Sequence, residues 1–600
     1  MLPECLKSPA QKGILFFCIP FSAALWYTMH WSLLDEQGKM TVPGESLFAW
    51  SDIPMIILCY VVSAAVFLWT GRFLQEHQRE WMPEKKRGYA FPAFLFTFLW
   101  WLLFLLAFYP APGMNDTVYM MDNPLYAVIQ FPWAYSLLYG YGAEWGKAVW
   151  GSREPVIFLL SLLQILVIAF SLAKLCGWVR EKFGKGPAVF LWGYFTFVPM
   201  IGNYAAAAVR EGIFSLAVLA WMVLFLSRTG EKVWTARHTL FLAAACLGLM
   251  LLRSNGLLLA FFLMTAFTAA IRKYRMQWTV FLLCAAISVV PGRMILHQHG
   301  WEPLFQESMG IPLQQLGRVL AKNGERDEKT AALMDSLLPE ETWRRQYHPY
   351  TVDWVKWDRD FQHDRMNGEK KEFLAAWVRT GLKNPGIYLE GWMTETFQLW
   401  NLDPVDSGVQ SRFGWALSDE NTRNMKPADN DRFMAGDFPM PRKCRAVLGS
   451  LQYDGARFLG SGLLLWVTIF FCILFYYEKK REAVLAALPL LMNTVILSLS
   501  TPAGSVYRYS FSYVLGLPVL FLWLLYKREK GGEPDGNDSK KECRRFYFFR
   551  TLFPFSYCTE SADREAFSSF FASHTLGRFP KTVAFRKRAR QAAPKMIPAG

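Results

Sequence analysis

A dozen apolar runs constrain this chain more than any motif in it. A helix crossing a hydrocarbon layer takes about 20 apolar residues, and these runs reach or approach that length: Gly13 to Leu33, Ile53 to Thr70, Ala90 to Tyr109, Val156 to Leu175, Ala188 to Asn203, Gly212 to Leu226, Leu240 to Leu252, Leu257 to Ile271, Trp278 to Leu296, Leu459 to Tyr477, Ala483 to Ser500 and Phe511 to Tyr526. The sixth, seventh, eighth and twelfth are short, and the pair flanking Arg253-Ser-Asn-Gly256 reads equally as one bent hairpin. The expected fold is an all-α polytopic membrane protein with about 12 transmembrane helices.

Loop charges give the orientation, because Lys and Arg resist translocation. Basic clusters follow alternate runs: Arg72, Arg79 and Lys85 to Arg87 after the second, Arg180, Lys182 and Lys185 after the fourth, and Arg228, Lys232 and Arg237 after the sixth. Arg272, Lys273 and Arg275 follow the eighth, Lys479 to Arg481 the tenth, and Lys527, Arg528 and Lys530 the twelfth. The first outward loop instead carries Asp35, Glu36, Glu45 and Asp52 against a lone Lys39. Both termini are therefore expected in the cytoplasm of a multi-pass cell-membrane protein, with the long loop outside. The net charge of +15 sits largely in inner loops and tail, where anionic headgroups are the natural partner. No nucleic-acid motif accompanies it.

The organisation reads as a transmembrane module over residues 1–296, with a first outer loop at about 110–155, then an extracytoplasmic region over 297–458, closing helices over 459–526 and a basic tail over 527–600. Within the outer region, IPLQQLGRVL reads as an amphipathic helix, ERDEKTAALMDSLL as a solvated helix, and KEFLAAWVRTGLKNPGIYLEGWMTETFQLW as two helices broken at Asn384-Pro385. Asn401 to Lys443 is rich in Asp, Asn, Gly and Pro, so irregular structure is expected there. The tail begins as a Gly, Asp and Lys-rich linker and reads as disorder or a surface that adsorbs to the inner leaflet. Of the ten cysteines the outer region holds only Cys444, which excludes a disulfide framework there.

Four constellations with chemistry fall on the outer side. Asp116, with Asp122 and Glu144, lies in the loop after the third run, where a carboxylate can take a proton from an acceptor hydroxyl or hold a divalent ion against a lipid phosphate; a solvated loop carboxylate is the plain reading. Arg210-Glu211 opens the sixth run, where charges are costly unless paired or used. Arg253 stands between two very hydrophobic segments, placed to grip a phosphate oxygen or to snorkel to headgroups. Tyr507-Arg508-Tyr509 fills the turn before the last run and suits a sugar or prenyl-phosphate headgroup, or ordinary interfacial belt chemistry. His297-Gln-His299 has no evident third ligand and reads as interfacial.

Their order along the chain resembles bacterial polytopic proteins of the GT-C glycosyltransferase superfamily, in particular an uncharacterised family within it. Tyr109-Pro110 with Gly113 to Thr117 is similar to that family's YPG..S.DS loop, and Arg210, Glu211 and Phe214 to its Lys-Asp-x-x-Phe element. Arg253, Asn255 and Gly256 match R-x-N-G; Pro502 with Tyr507 to Tyr509 matches P....YFRY; Ile311 to Arg318 matches IPxQQxxR, and Asn384 to Gly391 the NPxxYL element. Two departures stand out: Phe131-Pro132 occupies the place of a His-Pro, and Arg210-Glu211 that of Lys-Asp.

The resemblance implies a GT-C-like integral membrane hexosyltransferase that passes a sugar from a polyprenyl-phosphate donor to an extracytoplasmic glycan, lipid or protein. It implies Asp116 and Glu211 as catalytic residues, Arg253, Arg508 and Arg210 on the donor phosphate, and Asp122, Tyr507, Tyr509, Gln314, Gln315 and Arg318 toward the acceptor. Such enzymes can use a divalent cation, Mg or Mn, for which Asp116 is the candidate ligand. The alternatives are a polymerase or ligase of polyprenyl-linked glycans, and a lipid or glycan transporter or flippase.

Overall fold

The computed structural model describes residues 8–31, 47–84, 89–228, 234–271, 275–402, 460–500 and 506–527, together with 415–416, 440–441, 443–444 and 447–448. The tail beyond Lys527, Pro502 and most of the segment from 403 to 443 lie outside them.

Every apolar run folds as helix. The first three are α1 (Pro9–His30), α2 (Asp52–Glu76) and α3 (Ala90–Ala107). In the loop after α3 come the short α4 (Asn115–Asp122) and α5 (Trp133–Trp150), then α6 (Glu154–Phe183), α7 (Lys185–Phe197), α8 (Pro199–Ala206) and α9 (Glu211–Arg228). The module continues with α10 (Ala236–Met250), α11 (Gly256–Ile271) and α12 (Arg275–His299). The reasons are local. Ser8 and Gln11 form a capping box at the start of α1. Pro155 opens α6, and Gly184, at φ 88°, stops it. With 30 residues, α6 is about 45 Å long, more than the hydrocarbon needs, so its basic last turn stands clear and Arg180 pairs with Glu84 at 3.0 Å.

Among the described residues seven helices are long and apolar enough to cross a membrane, or eight if α8 and α9 count as one span bent by 114°; α10, α11 and the helix Ser461–Tyr477 are apolar but shorter. The chain is thus a multi-pass helical membrane protein, and length alone does not reach the expected twelve spans. The fifth expected span, Ala188 to Asn203, is interrupted because Val198 is extended and Pro199 starts a new helix. That Pro cannot continue the ladder of α7.

The described part of the region expected outside, residues 300–402, is mainly helical: α13 (Gly310–Ala321), α14 (Glu328–Leu337), α15 (Glu340–Gln346), α16 (Asp353–Lys356), α17 (His363–Gly368), α18 (Lys370–Lys383), α19 (Pro385–Glu395) and α20 (Phe397–Trp400). Asn384-Pro385 separates α18 from α19 as expected, and a further break at Thr396 adds α20. The expected amphipathic helix α13 is instead buried on every face from Gly310 to Leu320. Its apolar side packs on Met334, Leu337, Trp343, Val352 and Phe373, while its polar side packs on α19.

The closing helices are α21 (Ser461–Tyr477), α22 (Arg481–Leu499) and α23 (Val506–Leu525). α9 packs between α22 and α23, next to α6. Lys480 fixes the far end of α23 by donating to the carbonyls of Trp523, Leu524 and Tyr526 at 3.1, 3.1 and 2.6 Å. The Arg79 backbone pairs with Leu525 and Lys527 at the same end, so the basic ends of α2, α22 and α23 meet on one side. The outer region docks at the opposite ends, where Trp392 donates to the Ser498 carbonyl at 2.8 Å and Trp466 to that of Trp400 at 2.9 Å.

Candidate functional site

The site forms where a broken helix meets a loop. At the bend between α8 and α9 the backbone of Ala207 is extended, and the carbonyls of the preceding turn lose their helical partners. Gln164 of α6 supplies a replacement: its amide nitrogen donates to Ala207, Ala205 and Tyr204 at 2.7, 3.0 and 3.4 Å. The alanines from Ala205 to Ala208, each at most 1% exposed, let other backbone come close. The loop after α3 does so: Ala208 N–H donates to the Pro112 carbonyl at 2.8 Å, and Thr117 Oγ1 donates to the Ala208 carbonyl at 2.6 Å. Pro112–Gly113 (β1) also pairs antiparallel with Trp415–Ala416 (β2). The break therefore brings the start of α4, with Asp116 in its first turn, against the start of α9, with Arg210 and Glu211.

Arg508, in the first turn of α23, completes the contact. Its guanidinium lies 2.9 Å from Asp116 Oδ2 and donates to Tyr509 OH at 2.7 Å. Arg210 reaches the same Asp116 oxygen at 3.5 Å and Glu211 at 3.7 Å. Arg253 lies 3.5 Å from Glu211 and stacks on the Tyr509 ring at 4.0 Å, with Arg508 over that ring at 4.7 Å. Arg253 is aimed by its glycine: Gly256 closes a turn onto the Arg253 carbonyl, and a Cβ there would fall inside the Leu249 carbonyl oxygen. Only glycine lets α11 start so close to the end of α10.

Three guanidiniums thus face two carboxylates, leaving one positive charge in excess among side chains that are mostly hidden; Glu211 is 1% and Arg210 9% exposed. Burial alone would push the Asp116 carboxyl up, but Arg508, Arg210 and Arg253 outweigh it and hold the group below the usual carboxylate range. Arg508 Nε and both amide atoms of Asn203 and Asn255 are buried without a hydrogen bond, while Arg253 Nη1 and Glu211 Oε1 meet only as a long ion pair at 3.5 Å. Buried, unsatisfied donors beside a surplus of positive charge make a receptor for an anion, and the planar guanidinium suits phosphate oxygens.

The structure therefore unites Asp116, Arg210, Glu211, Arg253, Arg508 and Tyr509, from four separate stretches of chain. Tyr507 shares the first turn of α23. The other expected residues lie elsewhere. Asp122 pairs with Arg153 at 2.9 Å, tying the end of α4 to the start of α6. Gln314 donates to the carbonyls of His348 and Pro349, Gln315 to that of Tyr388, and Arg318 pairs with Glu390 at 3.1 Å; these three hold the inside of the outer region together. Phe131 stands under Arg210, with the guanidinium 4.8 Å from its ring. Sequence reasoning passed over Gln164 and Asn203, whose only signal was an amide inside an apolar run.

Asp116 is already claimed by two arginines, and among the described residues no group of three His, Cys, Asp or Glu side chains could hold a metal.

Fold and cluster define a multi-pass helical membrane protein in which three arginines and two carboxylates meet at the starts of α4, α9 and α23. The chain belongs to a family described as Family of unknown function (DUF6020), whose model matches residues 117–537. The match opens one residue beyond Asp116 and takes in Arg210, Glu211, Arg253 and Arg508. No curated protein matches the chain, and no solved structure does.

Proposed function

We propose that this chain is an integral membrane glycosyltransferase that moves a sugar from a polyprenyl-phosphate donor to a glycan, lipid or protein acceptor outside the cytoplasm. The observation that carries the reading is the cluster itself: three arginines with one surplus positive charge and an Arg508 Nε without a hydrogen bond at the ends of apolar helices, next to a single partly open carboxylate. A lipid-linked phosphate presents its charge at that depth. Arg253, Arg508 and Arg210 bind the donor phosphate, and Glu211 holds Arg210 and Arg253 in place. Asp116 takes the proton of the acceptor hydroxyl.

Among its arginines alone Asp116 is a weak base, because they outweigh its burial and stabilise the ionised form. A phosphate seated on Arg508 and Arg210 draws their charge away and adds its own, so the proton affinity of Asp116 rises when the donor is bound. The basic helix ends and the acidic sequence of the first loop support an orientation with both termini in the cytoplasm and residues 297–458 outside.

The test is transfer of radiolabelled sugar from polyprenyl-phosphate donors in membranes containing this chain, beside Asp116→Asn at equal protein level. Loss of transfer by about 100-fold or more in the variant is expected for a general base. Equal transfer removes Asp116 from the mechanism, and no transfer with any donor defeats the reading.

One observation favours a second reading, a transporter of an anionic lipid or glycan. Discontinuous helices with charged residues at the break are a transporter device, and α8 and α9 are such a pair. Movement of labelled lipid-linked sugar between leaflets without bond cleavage separates this from transfer.

A further inference from the structure

Away from the membrane cluster, the outer region carries an open cleft with chemistry of its own. Arg345 and Gln346 at the end of α15, Trp354 in α16, and the turn from Trp357 to Asp360 line a depression of about 520 Å³. Large aromatic side chains normally seek the interior, yet Trp354 is 54% and Trp357 44% exposed, while Val355 and Lys356 between them are 1% and 3% exposed. α16 is anchored by those two inward residues, Lys356 by ion pairs to Asp353 and Glu307 at 2.9 and 3.2 Å. The two indoles are thereby presented to the cleft on a fixed base. Each also has a neighbouring ring, His348 edge-on to Trp354 at 4.5 Å and His363 beside Trp357 at 6.0 Å.

The polar rim is preset too. Asp358 accepts from Gln346 Nε2 at 2.7 Å and from the Asp360 backbone N–H at 2.9 Å, so its carboxylate is oriented before any ligand arrives. Those bonds, the Asp360 N–H first, hold it below the usual carboxylate range, leaving it an acceptor throughout the neutral range. Arg359 projects beside it, 91% exposed at its side chain and 3.9 Å from Asp360.

The charges decide what such a cleft suits. Arg345 and Arg359 are balanced by Asp358 and Asp360, so it lacks the cationic surplus that draws a surface onto anionic headgroups. Flat aromatic faces bordered by planar carboxylate, amide and guanidinium groups match a pyranose ring. Its C–H face stacks on an indole, and its rim of hydroxyls both donates and accepts in the plane of those groups. We propose that this cleft binds a neutral oligosaccharide, with sugar rings stacked on Trp354 and Trp357 and hydroxyls held by Asp358, Gln346 and the two arginines. The site is independent of the chemistry at Asp116: it holds whether the membrane cluster transfers a sugar, carries one or does neither.

The experiment uses the full chain in nanodiscs, titrated with a panel of neutral hexasaccharides (glucose-, mannose- and N-acetylglucosamine-based) and with vesicles of mixed phosphatidylcholine and phosphatidylglycerol. Wild type, Trp354→Ala, Trp357→Ala and Asp358→Asn are compared. The expected result is saturable binding of at least one hexasaccharide, weakened roughly tenfold by either tryptophan substitution and measurably by Asp358→Asn. Because both indoles are largely outside the core, unfolding curves of their variants overlay the wild type, which separates lost binding from lost folding. The proposal is overturned by no hexasaccharide binding above empty nanodiscs, by binding that the tryptophan variants leave unchanged, or by vesicle binding that those substitutions abolish, which marks the pair as interfacial anchors instead.

Discussion

Replacing Gln164 by leucine removes the side chain that serves the carbonyls of Tyr204, Ala205 and Ala207 at the break between α8 and α9 while keeping its approximate volume. In the wild type a single amide nitrogen serves the carbonyls of Ala207, Ala205 and Tyr204 at 2.7, 3.0 and 3.4 Å. Ala207 also accepts from the Val209 N–H at 2.7 Å, so it is not left bare. Ala205 loses its close donor, and the 3.4 Å contact was weak from the start. One buried carbonyl left dry plus part of a second amounts to about 2 kcal/mol, with little packing loss because leucine fills the space. Gln164→Glu is the sharper control: it has the same shape but sets carboxyl oxygens against carbonyl oxygens, and it is expected to be less stable than the leucine variant. Unfolding in mixed detergent micelles, followed by circular dichroism, measures both. Since Arg210 follows directly on this turn, phosphate affinity of the intact protein should fall in parallel. Variants within about 0.5 kcal/mol of wild type, the spread of neutral surface changes, would refute the claim that Gln164 sustains the break.

Two further expectations follow from the same structure. Gly256→Ala drives a Cβ into the Leu249 carbonyl, a backbone group that cannot swing aside, so it should cost about 1 to 3 kcal/mol and, by displacing Arg253, weaken anion binding more than a surface Gly→Ala change such as Gly186→Ala; equal binding in the two variants counts against the turn as Arg253's support. Glu395 of α19 has its carboxyl pushed up to about 8 from an ordinary value of 4.5 by burial and by Asp353 nearby, against the opposing Lys356 and Val352 backbone N–H. The folded state therefore keeps a proton that the unfolded chain releases, stability declines as pH rises between those two values, and it levels off above about 8. Gln in place of Glu395 should flatten that decline in urea unfolding across the same range, and an unchanged slope places the titration elsewhere.

The apolar runs alone determined that the chain is helical and built for a membrane, because twelve stretches with few charges admit little else and local rules set most of their ends. Asn384-Pro385 was read from the sequence as a helix break; Ser8 with Gln11, Pro155 and Gly184 act within one turn of chain in the same way but were first seen in the structure. The number of crossings was not legible: whether Ala188 to Asn203 makes one span depends on how Val198 and Pro199 are met by neighbouring helices. The same distinction governs the site. Asp116, Arg210, Glu211, Arg253 and Arg508 each drew notice as charges beside apolar segments, since burying a lone charge is costly wherever it occurs. Their meeting was beyond the reach of composition, for Asp116 and Arg508 are 392 positions apart and touch only because Gln164 holds open a broken helix that nothing in its own sequence marks. Gln314, Gln315 and Arg318 show the converse: the resemblance set them toward an acceptor, and only packing showed them bonded inside a helix buried on all sides. Local chemistry fixes elements and flags charges, whereas pairing across hundreds of residues is decided by which buried polar groups find partners once the helices pack.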